Sequence, residues 1–191
     1  MSYVQRRKFL GAVLFALMAL LAVAANATTL ARMRFGELAH QATAVARLRC
    51  VGTQSFWEHG EIWTETRFAV VEQSKGSLPE FIRVRTIGGI VGNLHSRVEE
   101  VPTFRVGEEA YVFLWGRDGE PFRVLGWSQG TFRIRRDPRT GLETVTQDSA
   151  AVPVFDPGTR QFRHGGVRNL PLAVFQLKLE RALEGERKQG Q

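Results

Sequence analysis

Apolar and polar residues alternate with a period of two along much of the stretch from Thr43 to Gln147. Successive side chains of a strand point to opposite faces, so this period predicts strands with one face turned to a core. In "TAVARLRCVG", Ala44, Ala46, Leu48 and Cys50 share one face, and Val45, Arg47, Arg49 and Val51 share the wetter one. "FWEHGEIWTETRFAVVEQSKG" reads as a hairpin turning at His59-Gly60, with Ile62, Thr64, Thr66, Phe68 and Val70 on one face of the returning strand. "SKGSLPE" breaks it, and "FIRVRT" follows with Ile82 and Val84 inward and Arg83 and Arg85 outward. "EEAYVFLW" is apolar on both faces from Ala110 to Trp115, the pattern of a central strand. "FRVLGW" returns, "GTFRIRRD" sets Phe132 and Ile134 against Arg133 and Arg135, "DPRTG" turns, and "LETVTQ" is the last predicted strand.

Helical spacing brackets these strands. "LARMRFGELAHQA" predicts a short amphipathic helix carrying Met33, Phe35, Leu38, Ala39 and Ala42. Residues 148–170 lose all period and hold Pro153, Pro157, Gly158, Gly165 and Gly166, so an irregular loop is expected there. Residues 171–185 form a second amphipathic helix with Leu172, Phe175, Leu179, Ala182 and Leu183 as its stripe, and 186–191 a frayed tail. The expectation is a mainly β domain over 28–147: about seven short strands in a closed or partly open antiparallel barrel, with the second helix packed on it.

Residues 1–27 change the picture from shape to compartment. Arg6, Arg7 and Lys8 precede the apolar run from Phe9 to Ala25, and "ANA" ends at Ala27. That is the pattern of a secretory signal peptide cleaved near Ala27, giving a chain exported to the periplasm or beyond with no membrane span after cleavage. A retained anchor is the alternative, at the lower limit of spanning length. "RRKFLG" also resembles the twin-arginine export signal, while the leucine-rich run suits the general secretory route. Cleavage removes three positive charges from the net +7 and leaves +4, a balance that demands no polyanionic partner. Cys50 is the single cysteine, so no intramolecular disulfide is available, and a buried small apolar role is expected for it.

The chemistry within these elements is sparse. "GGIVGNLHS" follows a strand but precedes no helical pattern and lacks a Gly-Lys-Ser/Thr end, so its glycines are read as a sheet corner rather than a phosphate cradle. The stretch from Gly88 to Arg105 is then a long crossing loop, the first place to seek a binding surface, with Asn93 and His95 on it and Phe104 plugging the barrel end. His40, His59, His95 and His164 have no metal-ligand spacing, and Ser128 in "GWSQG" lacks the flanking pattern of a serine nucleophile. No cofactor, metal or catalytic set is expected. Arg83, Arg85, Arg123, Arg133 and Arg135 all fall on outward positions of strands read as neighbours, with Trp127 and Trp115 at their border. Such a face either stays solvated or meets anionic groups.

The pattern formed by "ATAVARLRCVG", "EIWTETRFAVVEQSKG", "FIRVRTIGG", "FRVGEEAYVFLW" and "VLGWSQGTFRI" resembles a group of secreted bacterial proteins. It is similar in turn to the oligosaccharide/oligonucleotide-binding-like (OB-like) barrel of netrin and tissue-inhibitor-of-metalloproteinase domains. The resemblance spans roughly Ala42 to Arg136 and implies an OB-like barrel. The inhibitors reach a catalytic zinc with a cysteine at the mature N-terminus, where this chain would have Thr28, so that route is not implied. The expected function is a non-enzymatic binding module docking a secreted protein, protease-like among the options, through the long loop. Binding of an anionic glycan or lipid head group on the arginine face is the second reading, and a hydrolase the third. Export argues against a nucleic-acid partner.

Overall fold

The structure, a computed structural model, describes residues 30–117 and 119–189. The expected signal peptide lies outside the described residues. Strand β1 (Ala44–Glu58) and strand β2 (Glu61–Lys75) are fifteen residues each and pair antiparallel along their whole length. His59 and Gly60 join them with φ of 51° and 85°. Two left-handed residues in a two-residue turn match the right-handed twist of the strands they connect. β1 runs straight through Gly52, where a bulge shifts the register, so the two segments read separately in the sequence are one strand. β3 (Phe81–Ile87) pairs with β2, and β6 (Glu109–Trp115) pairs with the first half of β1. Between them lie two three-residue strands, β4 (Gly89–Val91) and β5 (Leu94–Ser96), in a small sheet of their own.

The far side of β6 carries β7 (Arg123–Val124) at one end and β8 (Thr131–Arg136) at the other. β9 (Glu143–Gln147) follows β8, and β12 (Leu170–Pro171) follows β9. The sheet therefore runs β12-β9-β8-β6-β1-β2-β3, with β7 alongside β6. All its ladders are antiparallel, and they do not close into a barrel. One isolated parallel bridge, Val84 to Phe122, ties the edge strand β3 back to the residue before β7, with Phe122 N–H donating to the Arg83 carbonyl at 2.8 Å and Arg85 N–H to the Phe122 carbonyl at 2.8 Å.

β6 is central, as its two-sided apolar run predicts, and it divides two cores. Ala110, Val112 and Leu114 join Ala46, Leu48, Cys50, Phe68, Ile82 and Val84 on the inner face. Tyr111 and Phe113 join Val45, Phe132 and Val145 on the outer face, beneath helices α1 (Phe35–Gln41) and α2 (Leu172–Gln189). Phe175 of α2 is fully buried, its ring 5.1 Å from that of Tyr111 and 5.2 Å from that of Phe132. Tyr111 Oη donates to Glu72 at 2.8 Å and accepts from Gln176 Nε2 at 3.0 Å, which fixes α2 to β2. Lys75 Nζ donates to the carbonyls of Ala39 and His40, so a cation closes the C-terminal end of α1.

Two expectations need correction here. The interval 148–170 is not a uniform irregular loop: it holds a single 3-10 turn (Asp148–Ala151), the hairpin β10 (Val154–Asp156) and β11 (Gln161–Arg163), and the start of β12. The second helix begins at Leu172, because Pro171 pairs with Thr144 in the sheet, and its backbone continues through Gln189 where a tail was expected.

Candidate functional site

Register converts the inward residues of β1, β2 and β3 into rungs. Cys50, Phe68 and Ile82 form one, all nearly fully buried and apolar. The next is Thr53, Thr66 and Val84, and the one beyond is Ser55, Thr64 and Thr86. The inner wall thus changes from hydrocarbon to hydroxyl within one rung. Beyond that change lies a cavity of about 660 Å³, bounded by these hydroxyls, the Gly88-Gly89 corner and the segment from His95 to Phe104. Phe104 is buried edge-on against Phe68, with ring centroids 4.9 Å apart, and forms the apolar floor.

The glycines at Gly88 and Gly89 do make a corner. Their φ values are 95° and 137°, and a Cβ on Gly89 would strike the hydroxyls of Thr64 and Ser55. Thr64 Oγ1 donates to the Gly88 carbonyl at 2.6 Å, and Gly88 N–H donates to the Ile62 carbonyl at 2.7 Å. Past the corner, the β4–β5 hairpin turns at Gly92-Asn93. Ile90 pairs with His95 and Val91 with Leu94, so Ile90 and Leu94 stand on opposite faces of the hairpin. They are 57% and 56% exposed. Asn93 and His95 are exposed beside them.

The five arginines read as one face are split by the strand order. β3 lies at the sheet edge, and three strands separate it from β8. Arg83, Arg85 and Arg123 share the outer side of the β1–β2–β3 end. Arg85 is clamped by Glu58 at 2.9 and 3.1 Å and by Glu65 at 3.5 Å, and stacks 5.1 Å from the Phe56 centroid. Its Nε is buried without a hydrogen-bond partner. Arg83 lies 3.6 Å from Glu65 and stays half-exposed, Arg123 stacks 5.0 Å from the Trp63 centroid, and Arg67 stacks 4.6 Å from that of Phe81. Arg133 is a structural clasp elsewhere: it binds Asp148, Glu108 and the Thr103 carbonyl, and lies 4.7 Å from the Phe104 centroid. Arg135 is exposed beside Arg168 and Asn169, with no ion pair among the described residues. Trp127 is half-buried in the 3-10 turn Trp127–Gly130 with φ of 53°, and Trp115, paired with Arg123, is 55% exposed. The aromatic partners that the arginines use, Phe56, Trp63 and Phe81, are not the tryptophans expected. A strand's alternation tells up from down but not which strand lies next to which.

Several polar and titratable side chains are tied into the fold. The Cys50 thiol is buried at 1% exposure, and burial pushes its pKa up. The Ser128 hydroxyl donates to the Glu100 carboxylate, and Ser128 N–H donates to the Glu100 carbonyl at 2.9 Å. Burial and the hydrogen bond to Glu72 push the Tyr111 phenol up. At Glu109, burial works upward but is outweighed by hydrogen bonds from Arg49 and Arg47, both at 2.7 Å, which hold the carboxyl below its usual range. Among the described residues no group of three His, Cys, Asp or Glu side chains lies close enough to share a metal ion, and no helix is long and apolar enough to cross a membrane. Neither a protein-family model, nor a curated protein, nor a solved structure matches this chain.

Proposed function

We propose that this chain is an exported, non-enzymatic interaction module that docks a secreted protein through the β4–β5 hairpin. The observation carrying this reading is the hairpin itself. It stands as a separate two-stranded sheet, and its aliphatic side chains at Ile90 and Leu94 are more than half exposed on both faces. Neither side chain contributes to either core. Exposed aliphatics on a short, rigidly cornered hairpin suit a partner whose groove closes on two sides. The exposed His95 and Arg97 beside it favour an acidic rim on that partner. An OB-like reading of the sheet belongs to the same proposal. The ring β1–β2–β3–Phe122–β7–β6 returns to β1 through the Val84–Phe122 bridge, which supports a small, partly open barrel around the inner core.

The test uses the full chain with a photo-cross-linker on Asn93→Cys, exposed to the secreted fraction of its producing cell. A single cross-linked protein whose capture is lost with Ile90→Asp and Leu94→Asp supports docking. Equal capture by wild type and the double variant, or no capture by either, overturns it.

A second reading has a specific observation in its favour. Arg67, Arg85 and Arg123 each stack on an aromatic ring of the same outer face, an arrangement that suits anionic glycan or lipid head groups. Glu58 and Glu65 offset much of that charge. Salt-sensitive retention on an anionic resin, lost in Arg83→Glu with Arg123→Glu, would favour it; retention unchanged by those substitutions removes it.

A further inference from the structure

We infer that the hydroxyl-lined cavity beneath the β4–β5 hairpin binds a small neutral carbohydrate of one or two rings. This goes beyond the docking reading, since it concerns the interior of the sheet and not the outside of the hairpin.

The argument begins with which hydroxyls are already spent. Thr64 gives its proton to the Gly88 carbonyl, so the 2.8 Å contact between Ser55 and Thr64 is Ser55 donating. Ser55 in turn accepts from Ile90 N–H at 3.3 Å. These two hydroxyls brace the corner. Thr53, Thr66 and Thr86, on the same wall, make no side-chain hydrogen bond among the described residues. Thr66 is the most enclosed of the three: it is 1% exposed and lines the cavity, where its hydroxyl keeps a small accessible surface. A hydroxyl with no partner in the protein is free to meet a ligand there.

Chemical class follows from what such a wall can do. A free hydroxyl both gives and accepts a hydrogen bond, whereas a carboxylate only accepts and an ammonium only gives. Free hydroxyls on two successive rungs, Thr53 and Thr66 on one and Thr86 on the next, therefore suit a ligand that also does both, a sugar hydroxyl. The basic side chains of the lining, Arg97 and His95, are both exposed, and the strand wall itself carries hydroxyls rather than cations. The one carboxylate of the lining, Glu100, is engaged by Ser128. The same lining includes Ile87, Val98, Val101 and Phe104, apolar surface for the C–H face of a ring. The volume, about 660 Å³, falls within the span of small-molecule sites, roughly 300–1,000 Å³.

The experiment is an amide-shift titration of the folded full chain with glucose, N-acetylglucosamine, maltose and cellobiose at millimolar concentrations, with glucuronate and a short glycine-serine peptide as rivals. The expected result is saturable shifts at Ser55, Thr66 and Thr86 with at least one neutral sugar. Thr66→Val should weaken that binding at least tenfold while its melting temperature stays level or rises, because the hydroxyl bonds to nothing in the protein. Leu94→Asp, which removes one face of the docking hairpin and does not line the cavity, should leave the titration in place. No saturable shift with any neutral sugar, the same affinity in Thr66→Val, or shifts confined to glucuronate or to the peptide each overturn the inference.

Discussion

Arg133 and Asp148 are locked side by side: the guanidinium Nε lies 3.0 and 3.1 Å from the two carboxylate oxygens, and Nη2 lies 2.9 Å from one of them. The same guanidinium reaches Glu108 at 2.7 Å and the Thr103 carbonyl at 2.6 Å. One side chain on β8 thus joins the turn after β9, the start of β6 and the loop that floors the cavity.

Arg133→Ala strands two partly buried carboxylates and should cost about 2–4 kcal/mol in chemical unfolding. Arg133→Lys should recover only part of this, because an ammonium cannot reproduce the planar fork. A loss below about 0.5 kcal/mol for the alanine variant would show that the clasp is ornamental.

At the corner, Gly89→Ala should cost about 1–3 kcal/mol, since its φ of 137° is strained for any L side chain and the new methyl meets Ser55 and Thr64. Gly92→Ala is the comparison. Its φ is 58°, but open space surrounds it, so the cost should be smaller. Equal losses in thermal unfolding would mean that the Ser55–Thr64 brace does not set the corner.

Glu109 sets an acid-side slope. Its carboxyl is held below the usual range in the folded chain, so its stabilisation is present above the ordinary carboxylate pKa and drains away as pH falls through the lower folded value. Unfolding free energy should decline on acidification, and Glu109→Gln should flatten that decline while costing about 1–2 kcal/mol at neutral pH. An unchanged slope in the variant would place the acid sensitivity elsewhere.

Phe175 is the keystone of the outer core. Phe175→Ala should cost about 3–5 kcal/mol, because a fully buried ring touching Tyr111 and Phe132 leaves a cavity when removed. Val174→Ala, one residue back and 49% exposed, should change stability by less than about 0.5 kcal/mol. Similar losses for the two would mean that α2 presents another face to the sheet.

How far these features can be read from the sequence depends on their length. Two-residue alternation marks β2, β3 and β8 correctly, a run apolar on both faces marks β6, and His59-Gly60 marks its turn. It loses β1 at Gly52, where the bulge puts Gly52 opposite Arg67 and resets which residues face inward. Strands of three residues, such as β10 and β11, are too short to show any period, so 148–170 reads as loop. The cavity wall was half legible. Thr64 and Thr66 read as inward, but only register places them beside Ser55, Thr53 and Thr86. The arginine face failed for the same reason: five outward residues carry no information on the three strands lying between β3 and β8.

The outer core is assembled from both extremes of the described chain, α1 before the sheet and α2 after it. While a ribosome has released residues only as far as β9, Tyr111, Phe113, Phe132 and Val145 form an apolar surface whose later cover, α2, is still unmade. Completion of the fold therefore waits for the final helix rather than growing with synthesis. That interval leaves a greasy patch open, a surface on which a holding chaperone can act.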